Sequence, residues 1–256
     1  MSAASELVRH GRWQDVLTDQ EPDLLCFDAP FSLRTHEGFR SGSTSDDGQG
    51  IDEYAHWTPE QVYEHTAFWA PRTKGWTAAI TDHVLVPAFE AAFADAGLLT
   101  FTPIPIILTG MGVRKTGDGP ANWTLQLLVA RPRRKEFLSW CKRHGKPDEY
   151  YLGPASRDSQ GGRGKPDWLM RAIVRDYSYR GDLVVDTHTG WGSTGCAALA
   201  MGRRFIGAEA DLGAARKARR LVGEVVKRVG IPDATRPAVL VQRGLFDGLG
   251  KEVCGG

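Results

Sequence analysis

The stretch from Leu183 to Val241 alternates strand and helix, and this alternation restricts the fold more than any other feature of the chain. Leu183-Val184-Val185-Asp186 reads as a buried strand. A glycine-rich turn and a helix through Met201 follow, and Arg204 to Ala208 forms a second strand ending at Glu209. Ala214 to Val229 sets Ala218, Leu221, Val222, Val225 and Val229 on one helical face, and Ala238 to Val241 reads as a third strand. Strands joined through helices imply a parallel sheet wound on both faces.

The upstream chain extends that sheet. Asp23-Leu24-Leu25-Cys26-Phe27 is a short buried strand running into Asp28-Ala29-Pro30-Phe31. Thr58-Pro59-Glu60-Gln61 starts a helix, with Thr58 as N-cap, Pro59 in the first turn and Gln61 closing a capping box. Trp76 to Ile80 is a strand, and Asp82 to Ala96 a helix closed by Gly97. Phe101 to Leu108 and Trp123 to Val129 suit an antiparallel pair. The expected architecture is α/β, a doubly wound and mostly parallel sheet with one antiparallel hairpin. It forms a single domain over residues 1–256, in which 32–57 is a mobile loop, rich in Ser and Gly from Ser41 to Gly50, and 131–164 a candidate insert.

Composition excludes some classes. The chain has 256 residues and a formal net charge of +1, so any attraction to nucleic acid must be local rather than global. Cys26, Cys141, Cys196 and Cys254 form no CxxC pair, which argues against a zinc site or a disulfide framework and suits a reducing cytoplasm. Met1 to Arg12 lacks an apolar core, and no apolar run approaches the roughly 20 residues that span a bilayer, so no membrane is expected.

Two segments carry chemistry. Asp186-Thr187-His188-Thr189-Gly190-Trp191-Gly192-Ser193-Thr194-Gly195 lies between a strand and a helix. Glycines there let the backbone turn tightly against a ligand, and the helix start offers unpaired N–H groups. Glu209, ending the next strand, suits the two hydroxyls of a ribose. This combination indicates an adenosine ligand but leaves a nicotinamide cofactor and S-adenosylmethionine both open.

Asp28-Ala29-Pro30-Phe31 also ends a strand, where α/β proteins place their sites. An aromatic amine is a poor nucleophile because its lone pair is delocalised into the ring. A carboxylate and a backbone carbonyl can accept its two hydrogens, proline can aim that carbonyl, and an aromatic ring can stack on an extruded base. Asp28, the Ala29 carbonyl, Pro30 and Phe31 supply these parts.

These residues resemble the amino-methyltransferases of DNA that modify adenine N6 or cytosine N4. Asp28-Ala29-Pro30-Phe31 is similar to the family's D/N/S-P-P-Y/F motif, and Asp186 to Gly195 to its D-P-F-x-G-S-G-T-T-G motif. Lys165-Pro166 resembles its Lys-Pro element. The order, catalytic motif before cofactor motif, is that of the permuted β class, and the likeness runs from about Asp15 to Val241. It implies a Rossmann-like methyltransferase fold and S-adenosylmethionine as cofactor. Lys165, Pro166, Asp186, His188, Gly190, Gly192, Ser193, Thr194 and Glu209 would hold that cofactor, while Asp28, Ala29, Pro30 and Phe31 would hold the base. Asp28 favours adenine over cytosine, whose enzymes usually carry Ser. Ala29 replaces a family proline, Thr187-His188 replaces Pro-Phe, and Trp191 stands where a small residue is usual.

The partner implied is DNA, the setting restriction–modification, and a homodimer is compatible with the family. Arg131, Arg133, Arg134, Lys135, Lys142 and Arg143 are the expected phosphate contacts. Competing readings are a nicotinamide oxidoreductase, which has no use for Asp28 to Phe31; a non-catalytic DNA-binding protein on a degenerate methylase fold; and methylation of RNA or another amine. No metal is required.

Overall fold

The computed structural model describes residues 3–35, 56–110, 124–155 (except 136, 138 and 139) and 164–231. The stretches 36–55, 111–123 and 156–163, and the strand expected over Ala238 to Val241, lie outside them. Among the described residues, nine strands form one sheet. In chain order these are β1 (Val8–His10), β2 (Leu24–Asp28), β3 (Trp76–Thr81), β4 (Leu99–Thr100), β5 (Ile104–Thr109), β6 (Thr124–Arg131), β7 (Tyr151–Pro154), β8 (Leu183–Asp186) and β9 (Arg204–Glu209). The spatial order is β1-β9-β8-β2-β3-β6-β5-β7, with β4 also paired to β6. The five strands from β1 to β3 run parallel; β6 runs antiparallel to β5, the pair the sequence implied, and also to β3 and β4.

Strand residues alternate between two cores, which is why both faces are wound. Leu24 and Cys26 of β2 point into a core made with α6 (Asp167–Tyr177), α7 (Ser193–Ala200) and α8 (Leu212–Val229), through Leu169, Ile173, Ala198 and Val222. Leu25 and Phe27 point to the other face, where α2 (Trp13–Val16), α3 (Pro59–Trp69) and α4 (Val86–Asp95) bring Trp13, Val62, Trp69, Phe89 and Phe93. Two short helices, α1 (Ala3–Leu7) and α5 (Trp140–His144), complete the set. No described helix is long and apolar enough to cross a membrane.

The cap of α3 forms as expected, with the Thr58 N–H donating to Gln61 Oε1 at 2.9 Å. Other boundaries moved. The helix expected from Asp82 starts at Val86, because Asp82 is buried and occupied otherwise. Its Oδ1 accepts the N–H groups of Val84 and Leu85, at 3.0 and 3.2 Å, holding them in a turn. Its Oδ2 accepts the Ser32 N–H, the Ser32 hydroxyl and the Thr35 hydroxyl, at 2.8, 2.7 and 2.6 Å. Burial alone would raise this carboxyl. The hydrogen bonds from Thr35, Ser32 and Leu85 outweigh it and hold the group below the usual carboxylate range. Asp82 therefore fastens the chain just beyond Phe31. Replacing Asp82 with Ala strands five donors and should destabilise the protein by about 3 kcal/mol in urea unfolding; an unchanged midpoint would show that water takes over these bonds.

Three strands escaped the sequence reading, among them the two-residue β4 beside β6. β1 pairs with β9 at one edge, and β7 pairs with β5 at the other. β7 falls within the stretch read as an insert, so residues 151–154 are part of the sheet. Both strands are short, three and four residues, and edge positions leave little hydrophobic alternation to detect. On α8, Val229 is exposed although it shares the apolar face.

Candidate active site

Asp28, Asp186 and Glu209 are the last residues of β2, β8 and β9, three adjacent parallel strands. Open α/β sheets bind ligands at this carboxyl edge. The register sets their depth. Leu25 pairs with Val185, and Asp186 with Gly207. Asp28 and Glu209 thus each extend two residues past the level of Asp186, roughly 7 Å. The recessed Asp186 is 1% exposed. Burial pushes its carboxyl up to about 7, against hydrogen bonds from Thr194 and the His188 N–H; Asp28 and Glu209 add repulsion. Burial also raises Glu209.

A raised carboxyl has a defined signature. Between its ordinary pKa near 4 and about 7, folded Asp186 keeps a proton that the unfolded chain has lost, so its contribution to stability falls as pH rises through that window. Urea unfolding at pH 5 and pH 8 should show a smaller loss with pH in Asp186→Asn than in the unmodified protein. Equal losses would mean that Asp186 does not titrate there.

The turn after Asp186 is built around its glycines. Gly190 and Gly192 have φ of 53° and 90°, in the left-handed region. A Cβ on Gly192 would also come within 3.2 Å of the Ala218 backbone on α8. Glu209 clamps this turn: its Oε2 accepts the Gly190 N–H at 2.7 Å and its Oε1 the Asp211 N–H at 2.9 Å. Ser193 and Thr194 open α7 directly behind it.

A single cleft is lined by Asp28, Lys165, Asp186, His188, Gly190, Ser193 and Thr194, together with Trp191. Residues expected from three separate motifs therefore meet in one place, while Ala29, Pro30, Phe31, Pro166, Gly192 and Glu209 are not part of this lining. Pro166 caps α6 beside Lys165. Trp191, the oversized residue of the turn, carries the Lys217 ammonium 3.0 Å from its ring centroid. Ala29 is buried in the core that holds the aromatic residues of the α3 face. The Trp57 N–H donates to the Phe31 carbonyl at 3.1 Å, so the described ends of the stretch 32–57 are pinned.

Lys165, which lines the cleft with the expected cofactor residues, also reaches the strand end that carries the expected amine-holding group. Its ammonium is hydrogen-bonded and ion-paired to Asp28 Oδ2 and lies 5.2 Å from the centroid of the Phe31 ring. Asp28 Oδ1 is closed off from solvent with no partner. A cation thus sits between the carboxylate and the aromatic face expected to receive an amine.

The basic residues are not brought to this cleft. Ala130 pairs with Thr77, and Leu127 with Ile80, the partner of Asp28. Arg131 therefore lies level with Trp76 and Leu24, roughly 13 Å from Asp28 along the sheet. Its guanidinium is committed to packing, 4.8 Å from the Phe137 ring and 5.5 Å from that of Trp76. Arg133 and Arg134 line a separate cavity of about 410 Å³ with Tyr63, Ala96 and Gly97, and Lys135 is exposed. Lys142 and Arg143 belong to α5, at that same end.

One functional group was missed from sequence. His65 on α3 is buried, with Nε2 3.0 Å from Thr187 Oγ1, which lies 2.9 Å from His188 Nδ1. The sequence offered no sign of it, because His65 lies in no motif and its partner Thr187 is 122 residues away.

The family model described as DNA methylase matches residues 58–220, well over half of the chain. The chain belongs to this family. Within the DNA methylase match lie Lys165, the turn from Asp186 to Thr194, and Glu209; the match begins after Asp28 to Phe31. A curated relative, the type II methyltransferase M2.DpnII of Streptococcus pneumoniae, is 40% identical over 47 residues, and the match spans 18% of that relative and 18% of this chain. Among solved structures, the complex of M1.HpyAVI with SAM aligns with TM-score 0.59 at 16% identity, covering 84% of this chain and 98% of that one. The PvuII DNA methyltransferase, cytosine-N4-specific, aligns with TM-score 0.60 at 12% identity, covering 88% and 93%. At such identities the likeness concerns the fold, which is the Rossmann-like methyltransferase fold.

Proposed function

We propose that this DNA methylase transfers a methyl group from S-adenosylmethionine directly to the exocyclic amine of a DNA base, most specifically adenine N6. The observation that carries the reading is the row of three carboxylates at the ends of β2, β8 and β9, graded in depth around a glycine turn.

The donor set fits this cofactor. Asp186 is recessed, with its carboxyl pushed up to about 7 by burial, and a methionine ammonium paired with it would favour its charged form. Each Glu209 oxygen accepts one backbone N–H and keeps a lone pair for a ribose hydroxyl. The positive φ at Gly190 and Gly192 lets the backbone come close to the adenosine. When bound, the cofactor supplies an electrophilic methyl group.

The remaining work belongs to the chain. Asp28 and the Ala29 carbonyl accept the two amine hydrogens and turn the nitrogen lone pair toward the donor. Phe31 stacks on the base, and its π face with the Asp28 carboxylate stabilises the positive charge that grows on nitrogen. Lys165 gives up Asp28 to the amine, since one carboxylate oxygen is engaged by it and the other is sealed. The amine proton leaves to solvent. Asp28 rather than Ser supports adenine over cytosine.

The test is incubation with methyl-labelled S-adenosylmethionine and mixed-sequence unmethylated DNA, followed by digestion to nucleosides. Label in N6-methyladenine is expected. Label in N4-methylcytosine would keep the chemistry and reverse the base. No label in DNA, with cofactor bound, would move the acceptor to RNA or another amine, and no cofactor binding would leave a non-catalytic protein on this fold.

A further inference from the structure

We infer that His65 is a positioning residue, acting through Thr187 to hold the His188 ring in one tautomer with its Nε2–H presented to the cleft. The inference rests on the cofactor site proposed above and adds a second layer behind it.

The geometry is a chain of three polar atoms in an otherwise aromatic pocket. His65 Nε2, Thr187 Oγ1 and His188 Nδ1 are linked at 3.0 and 2.9 Å. Around them pack Phe27, 4.4 Å from the His65 ring centroid, Trp13 at 5.1 Å and Trp57 at 5.2 Å; Trp57 also meets the His188 ring edge-on at 5.1 Å. Only His188 of the three lines the cleft.

Both rings are neutral: burial pushes His188 down to about 3 and His65 well below the usual imidazole range. A neutral imidazole has one donor and one acceptor nitrogen, and a threonine hydroxyl has one hydrogen. Thr187 Oγ1 could also accept from both rings, but its own hydrogen would then have no partner in this aromatic pocket; with that hydrogen spent within the chain, two directions remain. In the first, His65 Nε2–H donates to Thr187, the Thr187 hydroxyl donates to His188 Nδ1, and His188 Nε2 carries a hydrogen. In the second, every proton is reversed and His188 offers a bare lone pair to the cleft.

Two arguments select the first. It puts both rings in the Nε2–H form, the intrinsically favoured tautomer of a neutral histidine. It also turns an N–H, rather than a lone pair, toward a cleft lined by Asp28 and Asp186. His188 then donates a hydrogen bond to the bound cofactor, at a motif position that the resemblance gives to an apolar ring. The partner behind a binding histidine fixes its tautomer and orientation, and loss of such partners commonly weakens binding by about ten- to a hundredfold at metal sites, where this is best measured.

The test is calorimetric titration with S-adenosylmethionine, without DNA, so that catalysis does not enter. Thr187→Val keeps the side-chain shape and removes both hydrogen bonds; it should weaken binding about tenfold, the worth of one hydrogen bond. Thr187→Ser keeps the hydroxyl and should restore it. His65→Phe, which keeps an aromatic ring in the pocket but has no hydrogen-bonding atom, is a second way of breaking the chain and should act like Thr187→Val. In a His188→Phe background, Thr187→Val should have no further effect. The inference is overturned if Thr187→Val binds as tightly as the unmodified protein, or if its full loss persists in the His188→Phe background, which would make Thr187 a packing residue. If the unmodified protein itself binds no cofactor, it is the proposed function that fails.

Discussion

Asp28→Ala is expected to lower methyl transfer by roughly 10²–10³-fold while leaving cofactor binding near its original strength. Removal of one preorganised group aimed at developing charge has effects of this size. Asp28 is at the end of β2, beside β8 rather than within the glycine turn, and its bonded partner is Lys165. The substitution takes away the acceptor for the amine and releases the Lys165 ammonium over the Phe31 ring. Single-turnover rates with saturating cofactor, set against calorimetric affinity, separate the two roles. Equal loss of both would mean that Asp28 belongs to the donor site. Unchanged turnover would remove the amine-orienting role and leave the Ala29 carbonyl to act alone.

Glu209→Ala is expected to act in the opposite way, weakening cofactor binding by roughly 10²-fold or more with a smaller effect on the rate at saturation. Hydrogen bonds to a charged group contribute about 1.5–3 kcal/mol each, and a ribose offers two hydroxyls. A second loss compounds it, because Glu209 also holds the N–H groups of Gly190 and Asp211 and so fastens the turn that must approach the ligand. Glu209→Gln separates these effects, since an amide oxygen still accepts from one of the N–H groups. Intermediate affinity for the Gln variant is the expected outcome; affinity equal to the unmodified protein would show that the charge has no part in ribose binding.

The two variants divide the cleft as the register of the sheet does. In the proposed reading the cofactor-holding groups are those of β8 and β9 and the amine-holding group is that of β2, with Asp186 recessed between Asp28 and Glu209. Lys165 enters from the start of α6 and bridges to the acceptor side. His65 reaches the donor side from behind, across the face covered by α3.

Much of this was legible in the chain itself. The parallel core, the turn from Asp186 to Thr194 and the strand-ending positions of Asp28 and Glu209 all follow from patterns local in sequence. Hydrophobic runs of strand length, glycines at a strand-to-helix turn and a carboxylate after a strand depend only on near neighbours. The capping box at Thr58 and Gln61 is legible for the same reason.

The rest depended on contacts between residues far apart in sequence. The grading of the three carboxylates in depth, which buries Asp186 below its two neighbours, comes from a two-residue stagger between strands, and strand register has no local signature. The engagement of Lys165 with Asp28 joins residues 137 apart, and His65 with Thr187 joins residues 122 apart. The basic cluster at Arg131 to Lys135 looked suited to phosphate, but antiparallel pairing of β6 carried Arg131 to the far end of the sheet, where its cation lies against aromatic rings. Sequence alone determined which residue types this protein has for binding an adenosine ligand and an amine. Tertiary structure decided which of them meet, at what depth and with what charge, because desolvation and ion pairing depend on what the folded chain brings within a few ångströms.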